Sequence, residues 1–164
     1  MDLEYHTAYL LLGGNKGNSI GHLQEATALL EEKIGKVLSR SSVYRTAAWG
    51  KEDQPAFLNM ALEIATTLSP LEVLRGALSI EKSMGRVRNE HWGQRLIDID
   101  MLLFDDDIFD FGEELQIPHP QMQFRNFVLV PLSEIAGNVI HPVLKLSIDD
   151  LRKQCKDSLT VEEI

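Results

Sequence analysis

The stretch Phe57-Leu58-Asn59-Met60-Ala61-Leu62-Glu63-Ile64-Ala65-Thr66-Thr67, followed after Leu68 by Ser69-Pro70-Leu71-Glu72, carries the reading of the fold. Leu58, Met60, Leu62 and Ile64 fall on one side of an extended chain. Asn59, Ala61, Glu63 and Ala65 fall on the other, which is the period of a half-buried strand. Ser69 then offers a helix cap, Pro70 suits the first turn, and Glu72 stands three residues after the cap. The helix is predicted to run to about Met84, with Gly85 ending it.

Working upstream, Tyr9-Leu10-Leu11-Leu12 reads as a short buried strand and Gly13-Gly14-Asn15-Lys16-Gly17-Asn18 as turn chemistry. A helix capped by Asn18 or Ser19 follows, with Ile20, Leu23, Ala26, Leu30 and Ile34 at three- and four-residue steps and Gly35 as its stop. Residues 37–45 read as a second strand and 46–55 as a loop. Downstream, 85–95 is irregular and 96–104 is another strand. Asp105-Asp106-Asp107 turns the chain, and 108–117 looks like a hairpin return. Pro118-His119-Pro120 forbids continuous helix or central strand. Residues 127–132 form a last apolar segment, and 147–155 a short closing helix. This order predicts an α+β fold, with helices packed on a mostly antiparallel sheet.

Length and charge bound the function. The 164 residues suit a single domain spanning 1–164. With 25 acidic and 16 basic side chains the formal charge is −9, which argues against general binding to nucleic acid or to an anionic membrane. One cysteine, Cys155, excludes an intrachain disulfide and fits a reducing compartment. No stretch approaches the roughly 20 apolar residues that span a bilayer, and the acidic start Met1-Asp2-Leu3-Glu4 leads into no signal-like run. A cytoplasmic protein is expected.

The chemistry concentrates at Asp98-Ile99-Asp100. On a strand these two carboxylates share a face, about 6.6 Å apart along the chain. Ile97, Ile99, Met101 and Leu103 form the opposite, apolar face. A divalent cation would relieve the repulsion between the aspartates, and Mg²⁺ favours a few carboxylates completed by substrate phosphates. Two solvated aspartates on a sheet edge would give the same local pattern. Arg86, Arg88 and Arg95 lie within the twelve residues upstream and tilt the reading toward an anion and a metal, because guanidinium forks match phosphate oxygens. Trp92 among them suits stacking on a planar ligand. Glu81 falls at the centre of an apolar helical stripe, so it faces either the site or, if the helix end frays, solvent. His119, stiffened by two prolines, and Arg125 offer further donors. Asn59 presents an amide that suits a heterocycle edge. The glycine-rich turn after the first strand matches neither G-x-x-x-x-G-K-[ST] nor G-x-G-x-x-G and reads as a tight turn.

Several ordered motifs resemble one family, 6-hydroxymethyl-7,8-dihydropterin pyrophosphokinase of folate biosynthesis. They are Gly14-Asn15, Ser42-Val43-Tyr44-Arg45-Thr46, Asp53-Gln54-Pro55-Ala56-Phe57-Leu58-Asn59, Glu81, Gly85-Arg86-Val87-Arg88, Trp92-Gly93-Gln94-Arg95-Leu96-Ile97-Asp98-Ile99-Asp100, Pro118-His119 and Arg125-Asn126-Phe127-Val128-Leu129-Val130-Pro131-Leu132. The resemblance implies a ferredoxin-like sandwich in which ATP donates a pyrophosphoryl group to the pterin hydroxymethyl and AMP is released. It implies that Asp98 and Asp100 hold two Mg²⁺ ions, and that Arg86, Arg88 and Arg95 serve catalysis. Thr46, Ala48, Phe57, Asn59, Trp92 and Phe127 would bind the pterin. Glu81, Arg86, Trp92, Arg95, Met101, His119 and Arg125 would lie with ATP. A monomer with small-molecule partners only is expected. The chain departs from the family pattern at Ala47-Ala48, Gln94, Phe57, Glu114 and Pro120, and by one residue fewer between Arg88 and Trp92 than in some relatives. Another metal-dependent phosphotransferase or nucleotidyltransferase would share the paired aspartates, and a ligand-sensing domain of similar fold would lack Mg²⁺-dependent turnover.

Overall fold

A computed structural model describes residues 4–46, 55–85 and 96–164. The first strand, β1 (His6–Gly14), leads to helix α1 (Ser19–Lys33), then to strands β2 (Lys36–Arg40), β3 (Tyr44–Thr46) and β4 (Phe57–Thr66). Helix α2 (Pro70–Ser83) precedes β5 (Asp98–Phe104), and a small ribbon of β6 (Phe109–Asp110) and β7 (Gln116–Ile117) follows. A 3-10 turn (Met122–Phe124), helices α3 (Asn126–Ala136) and α4 (Ile148–Gln154) and strand β8 (Val161–Glu163) complete the chain.

Six strands form one sheet in the order β5-β1-β4-β3-β8, with β2 also paired to β4. Each of these pairings is antiparallel. The α+β sandwich expected from the sequence is the fold observed.

Local chemistry explains the helices read from sequence. Asn18 caps α1, its side chain accepting from the Gly21 N–H. Ser69 and Glu72 form a reciprocal capping box on α2, with Pro70 in its first turn. Gly85 follows α2 at φ +92°, a conformation that glycine adopts without a Cβ penalty.

The sheet is covered on both sides. Leu10, Leu12, Leu62 and Ile64 pack with α1 and α2 residues such as Leu23, Leu30, Val73 and Ile80. Tyr9, Leu11 and Ala61 pack with Val128, Leu129 and Leu132 of α3 and with Ile148 and Leu151 of α4. β4 is therefore a central strand covered on both faces, more completely toward α1 and α2 than toward α3, where Asn59 and Ala61 are buried and Glu63 and Ala65 partly so. Alternation of size (Leu and Ile against Ala) accompanies the alternation of polarity.

Other expectations shift for identifiable reasons. Gly13 and Gly14 extend β1 instead of turning the chain, because each pairs with β4, at Asn59 and Leu58. Residues 37–45 divide into β2 and β3, interrupted where the Ser41 hydroxyl accepts from the Ala61 N–H. Residues 108–117 fold into their own ribbon, β6 with β7. The apolar segment 127–132 is part of α3, with Pro131 inside the helix. A bulge between Tyr9 and Leu10 turns Leu103 to the α3 face, opposite to the face expected. Ile20 points outward and is exposed. Among the described residues, no helix is long and apolar enough to cross a membrane.

Candidate active site

Antiparallel register builds a row across the sheet. Asp98 pairs with Gly13, Gly13 with Asn59, and Asn59 with Tyr44. Directly paired residues share a face, so Asp98, Gly13, Asn59 and Tyr44 stand side by side. Strands lie about 4.8 Å apart, which sets Asp98 and Asn59 roughly 10 Å apart across the glycine. The next row on this face holds Asp100, Leu11 and Ala61. Both aspartates therefore lie on the α3 face, with Asp98 half-buried and Asp100 exposed. Their neighbours Ile97 and Ile99 are buried in the core on the other side.

Gly13 leaves the floor between Asp98 and Asn59 open. A Cβ there would collide with Asn59 Oδ1. Asn59 itself is buried. Phe57 lies two residues before it on the same face, and Thr46 pairs with Phe57. The Thr46 hydroxyl is buried and has no hydrogen-bond partner among the described residues. Phe127, at the start of α3, packs against the cluster on this face. Two phenyl rings and a buried amide thus line one end of the sheet face. At the head of β4, Asn15 Nδ2 donates to the Pro55 carbonyl at 3.1 Å and ties the β1–α1 turn to the approach of Phe57.

The outer edge of β5, which pairs with no strand among the described residues, takes up two more elements. The Ile99 N–H, between the two aspartates, donates to Glu81 Oε1 at 3.0 Å. Glu81 is 3% exposed, so the alternative of a frayed, solvated helix end does not hold. The His119 N–H donates to the Leu102 carbonyl at 2.9 Å, docking the proline-flanked loop on the same edge. His119 Nδ1 accepts from the Gln121 N–H at 3.1 Å, which assigns the proton of the neutral ring to Nε2. Burial, with the nearby Arg125 charge, holds the His119 pKa below the ordinary histidine value. A neutral ring with a donating Nε2–H results at neutral pH. The chain then passes through the 3-10 turn to Arg125, whose guanidinium carbon lies 5.6 Å from the Phe127 ring centroid.

Of the residues singled out in the sequence, the sheet brings Asp98, Asp100, Asn59, Phe57 and Thr46 to one face, and α3 adds Phe127. Glu81, His119 and Arg125 gather around the β5 edge. Met101 is buried in the opposite core, so its side chain does not reach this face. Ala48, Arg86, Arg88, Trp92 and Arg95 lie outside the described residues. Gly13 was missed as a site residue. The signal available was its direct continuation of an apolar strand.

Two hard oxygen donors on adjacent rows fit a Mg²⁺ site completed by a ligand. Among the described residues, no group of three or more His, Cys, Asp or Glu side chains could hold a metal by itself. That donor set suits an ion shared with a substrate anion more than a closed structural centre.

A small-molecule transferase on an open antiparallel sheet is the class that this fold and site define. The family model for 7,8-dihydro-6-hydroxymethylpterin-pyrophosphokinase (HPPK) matches residues 9–137. A 2-amino-4-hydroxy-6-hydroxymethyldihydropteridine pyrophosphokinase of Aquifex aeolicus is 39% identical over 148 residues, covering 90% of this chain and 91% of the relative. One of Bacillus subtilis is 44% identical over 133 residues, covering 80% and 79%. Among solved structures, a Plasmodium falciparum HPPK-DHPS triple mutant with SDX-DHP superposes with a TM-score of 0.78 at 19% identity. That match covers 93% of this chain and 44% of the longer one, and it speaks for the fold alone. The chain belongs to the HPPK family, whose members are pyrophosphokinases of folate biosynthesis. Enzymes of the family use ATP as co-substrate and hydroxymethyldihydropterin as acceptor.

Proposed function

We propose that this chain transfers the β,γ-pyrophosphoryl group of ATP to the hydroxymethyl oxygen of 6-hydroxymethyl-7,8-dihydropterin and releases AMP. The placement of Asp98 and Asp100 on the same sheet face as Asn59, with Gly13 of β1 between Asp98 and Asn59, supports this reading best. The pterin hydroxymethyl oxygen attacks the β-phosphorus, and the bond from that phosphorus to the α,β-bridging oxygen breaks. The hydroxyl proton goes to solvent.

Asn59 reads the amide edge of the pterin, and Phe57 and Phe127 stack on its two faces. The Thr46 segment and Ala48 add contacts to the ring. Such holding converts a bimolecular encounter into an oriented one, which is the larger part of what phosphoryl transfer needs. His119 donates Nε2–H to a phosphate oxygen, and Arg125 adds a fixed positive charge held by the Phe127 ring. Arg86, Arg88 and Arg95 supply further charge, and the Trp92 indole suits stacking on a planar ligand. Asp98 and Asp100 would hold two Mg²⁺ ions, which when bound neutralise the triphosphate and ease ionisation of the attacking hydroxyl. Glu81 acts on the nucleotide side through the strand edge that it anchors. For Met101 only the main chain is available to the nucleotide. No side-chain general base is required.

We take residues 1–164 as one catalytic domain, monomeric and cytoplasmic, with no nucleic-acid or membrane partner. Turnover of ATP and the pterin, measured against Mg²⁺ concentration, tests the metal assignment. Asp98→Ala and Asp100→Ala are expected to lose at least 100-fold in kcat, since metal stabilisation of the transition state is worth several kcal/mol. Circular dichroism should be unchanged, because Asp98 is only half-buried and Asp100 exposed. Parental turnover by either variant, or turnover that survives a chelator, contradicts the assignment.

A further inference from the structure

The family model ends at residue 137, and the chain beyond it returns to the site. After α4, Asp157 Oδ2 accepts from the Asn126 N–H at 3.0 Å and the Asp157 carbonyl accepts from Asn126 Nδ2 at 3.2 Å. The first N–H groups of a helix need such acceptors, and a carboxylate there also meets the positive end of the helix dipole. Arg125, which precedes α3, supplies no side-chain cap of its own. Asp157 caps α3 from 31 residues away, and Phe127 is the next residue of that first turn. Asp157 Oδ1 also accepts from the Leu159 N–H at 3.0 Å, which turns the chain toward β8.

β8 then pairs with β3, with Val161 opposite Thr46 and Tyr44 opposite Glu163. Arg45 and Glu162 form an ion pair at 3.1 Å, and the Ile164 N–H donates to the Val43 carbonyl at 3.0 Å. One short segment thus holds the two elements that carry Phe127 and Thr46, on either side of Asn59. None of these bonds reaches β5.

We propose that residues 156–164 are a strap that sets the width of the pterin half of the site, with Asp157 as its positioning residue. Asp157 touches no substrate. It fixes the first turn of α3, and hence Phe127, while β8 fixes β3 and hence Thr46. The inference rests on the pterin reading given above, and its test separates the two.

The dissociation constant of 6-hydroxymethyl-7,8-dihydropterin is measured by calorimetry, and KM for ATP by turnover. The set comprises the parent, Asp157→Ala, a truncation after Thr160 and the control Lys153→Ala, an exposed residue of α4 outside the strap. The expected result is a pterin constant raised at least fivefold in Asp157→Ala and in the truncation, with KM for ATP within twofold and the control unchanged. Melting temperatures read alongside identify a merely structural role, which would move both substrates together with the loss of folded protein. That pattern, or pterin constants within twofold of a parent that binds, overturns the inference alone. A parent that binds no pterin overturns the pterin reading, and the strap with it.

Discussion

At the scale of single residues, the site depends on what Gly13 lacks. It stands in the row between Asp98 and Asn59, and its missing Cβ leaves room for the Asn59 amide. Gly13→Ala is expected to push Asn59 off its position and raise the pterin dissociation constant about tenfold, or about 1.4 kcal/mol. KM for ATP should change little, and calorimetry with turnover assays checks both. An unchanged pterin constant would remove Asn59 from the recognition of the ring. The aspartate pair was legible in the sequence because its meaning is local: two residues apart on a strand share a face. Gly13 was not legible as a site residue, since two glycines before Asn15 also suit a turn and only pairing with β4 decides between them. Asn59 could be nominated for its amide, but its setting between Gly13 and Tyr44 comes from strand pairings that the local sequence does not show.

At the scale of elements, the β5 edge shows how a buried acid is accommodated. Glu81 spends its Oε1 on the Ile99 N–H, a group that no strand among the described residues satisfies on that side. Glu81→Ala leaves this buried donor without its acceptor and should cost about 2 kcal/mol. Denaturant unfolding gives the value, and Glu81→Gln, which keeps an oxygen for the same N–H, should lose less. Equal stability of the alanine variant and the parent would contradict the edge-anchor role. The contrast between α2 and α3 shows what an element displays in its own sequence. α2 carries a capping box, a first-turn proline and a terminal glycine, so its ends were readable. α3 is capped from Asp157, contains Pro131 and is apolar over most of its length, so no periodic polar face marks it as a helix. β8 is short and mostly acidic, and it is a strand because the edge of β3 is there to receive it.

At the scale of the whole molecule, two imidazoles, His141 buried and His119 half-buried, link stability to acidity. His119 and His141 both sit below the ordinary histidine value, chiefly through burial, with Arg125 adding to the effect at His119. His141 Nδ1 also accepts from the Val143 and Leu144 N–H groups, a role the protonated ring cannot fill. A folded-state pKa below the unfolded one means that this stability is complete above about 6.5 and is lost as pH falls toward the folded values. Urea midpoints are therefore expected to drop between pH 7.5 and 5.5, and midpoints that hold level or rise would contradict the burial of neutral rings. The α+β class was legible from the order of periods, because strand and helix patterns survive averaging over local errors. Coverage of both faces was not, since Ala61 looks alike under a helix or in water until α3 is known to lie over it. The most direct measurement on the whole enzyme is the identity of the nucleotide formed from ATP with Mg²⁺ and 6-hydroxymethyl-7,8-dihydropterin. Attack at the β-phosphorus predicts AMP in equal amount to pterin consumed, whereas ADP or free pyrophosphate as the stoichiometric product would contradict the account.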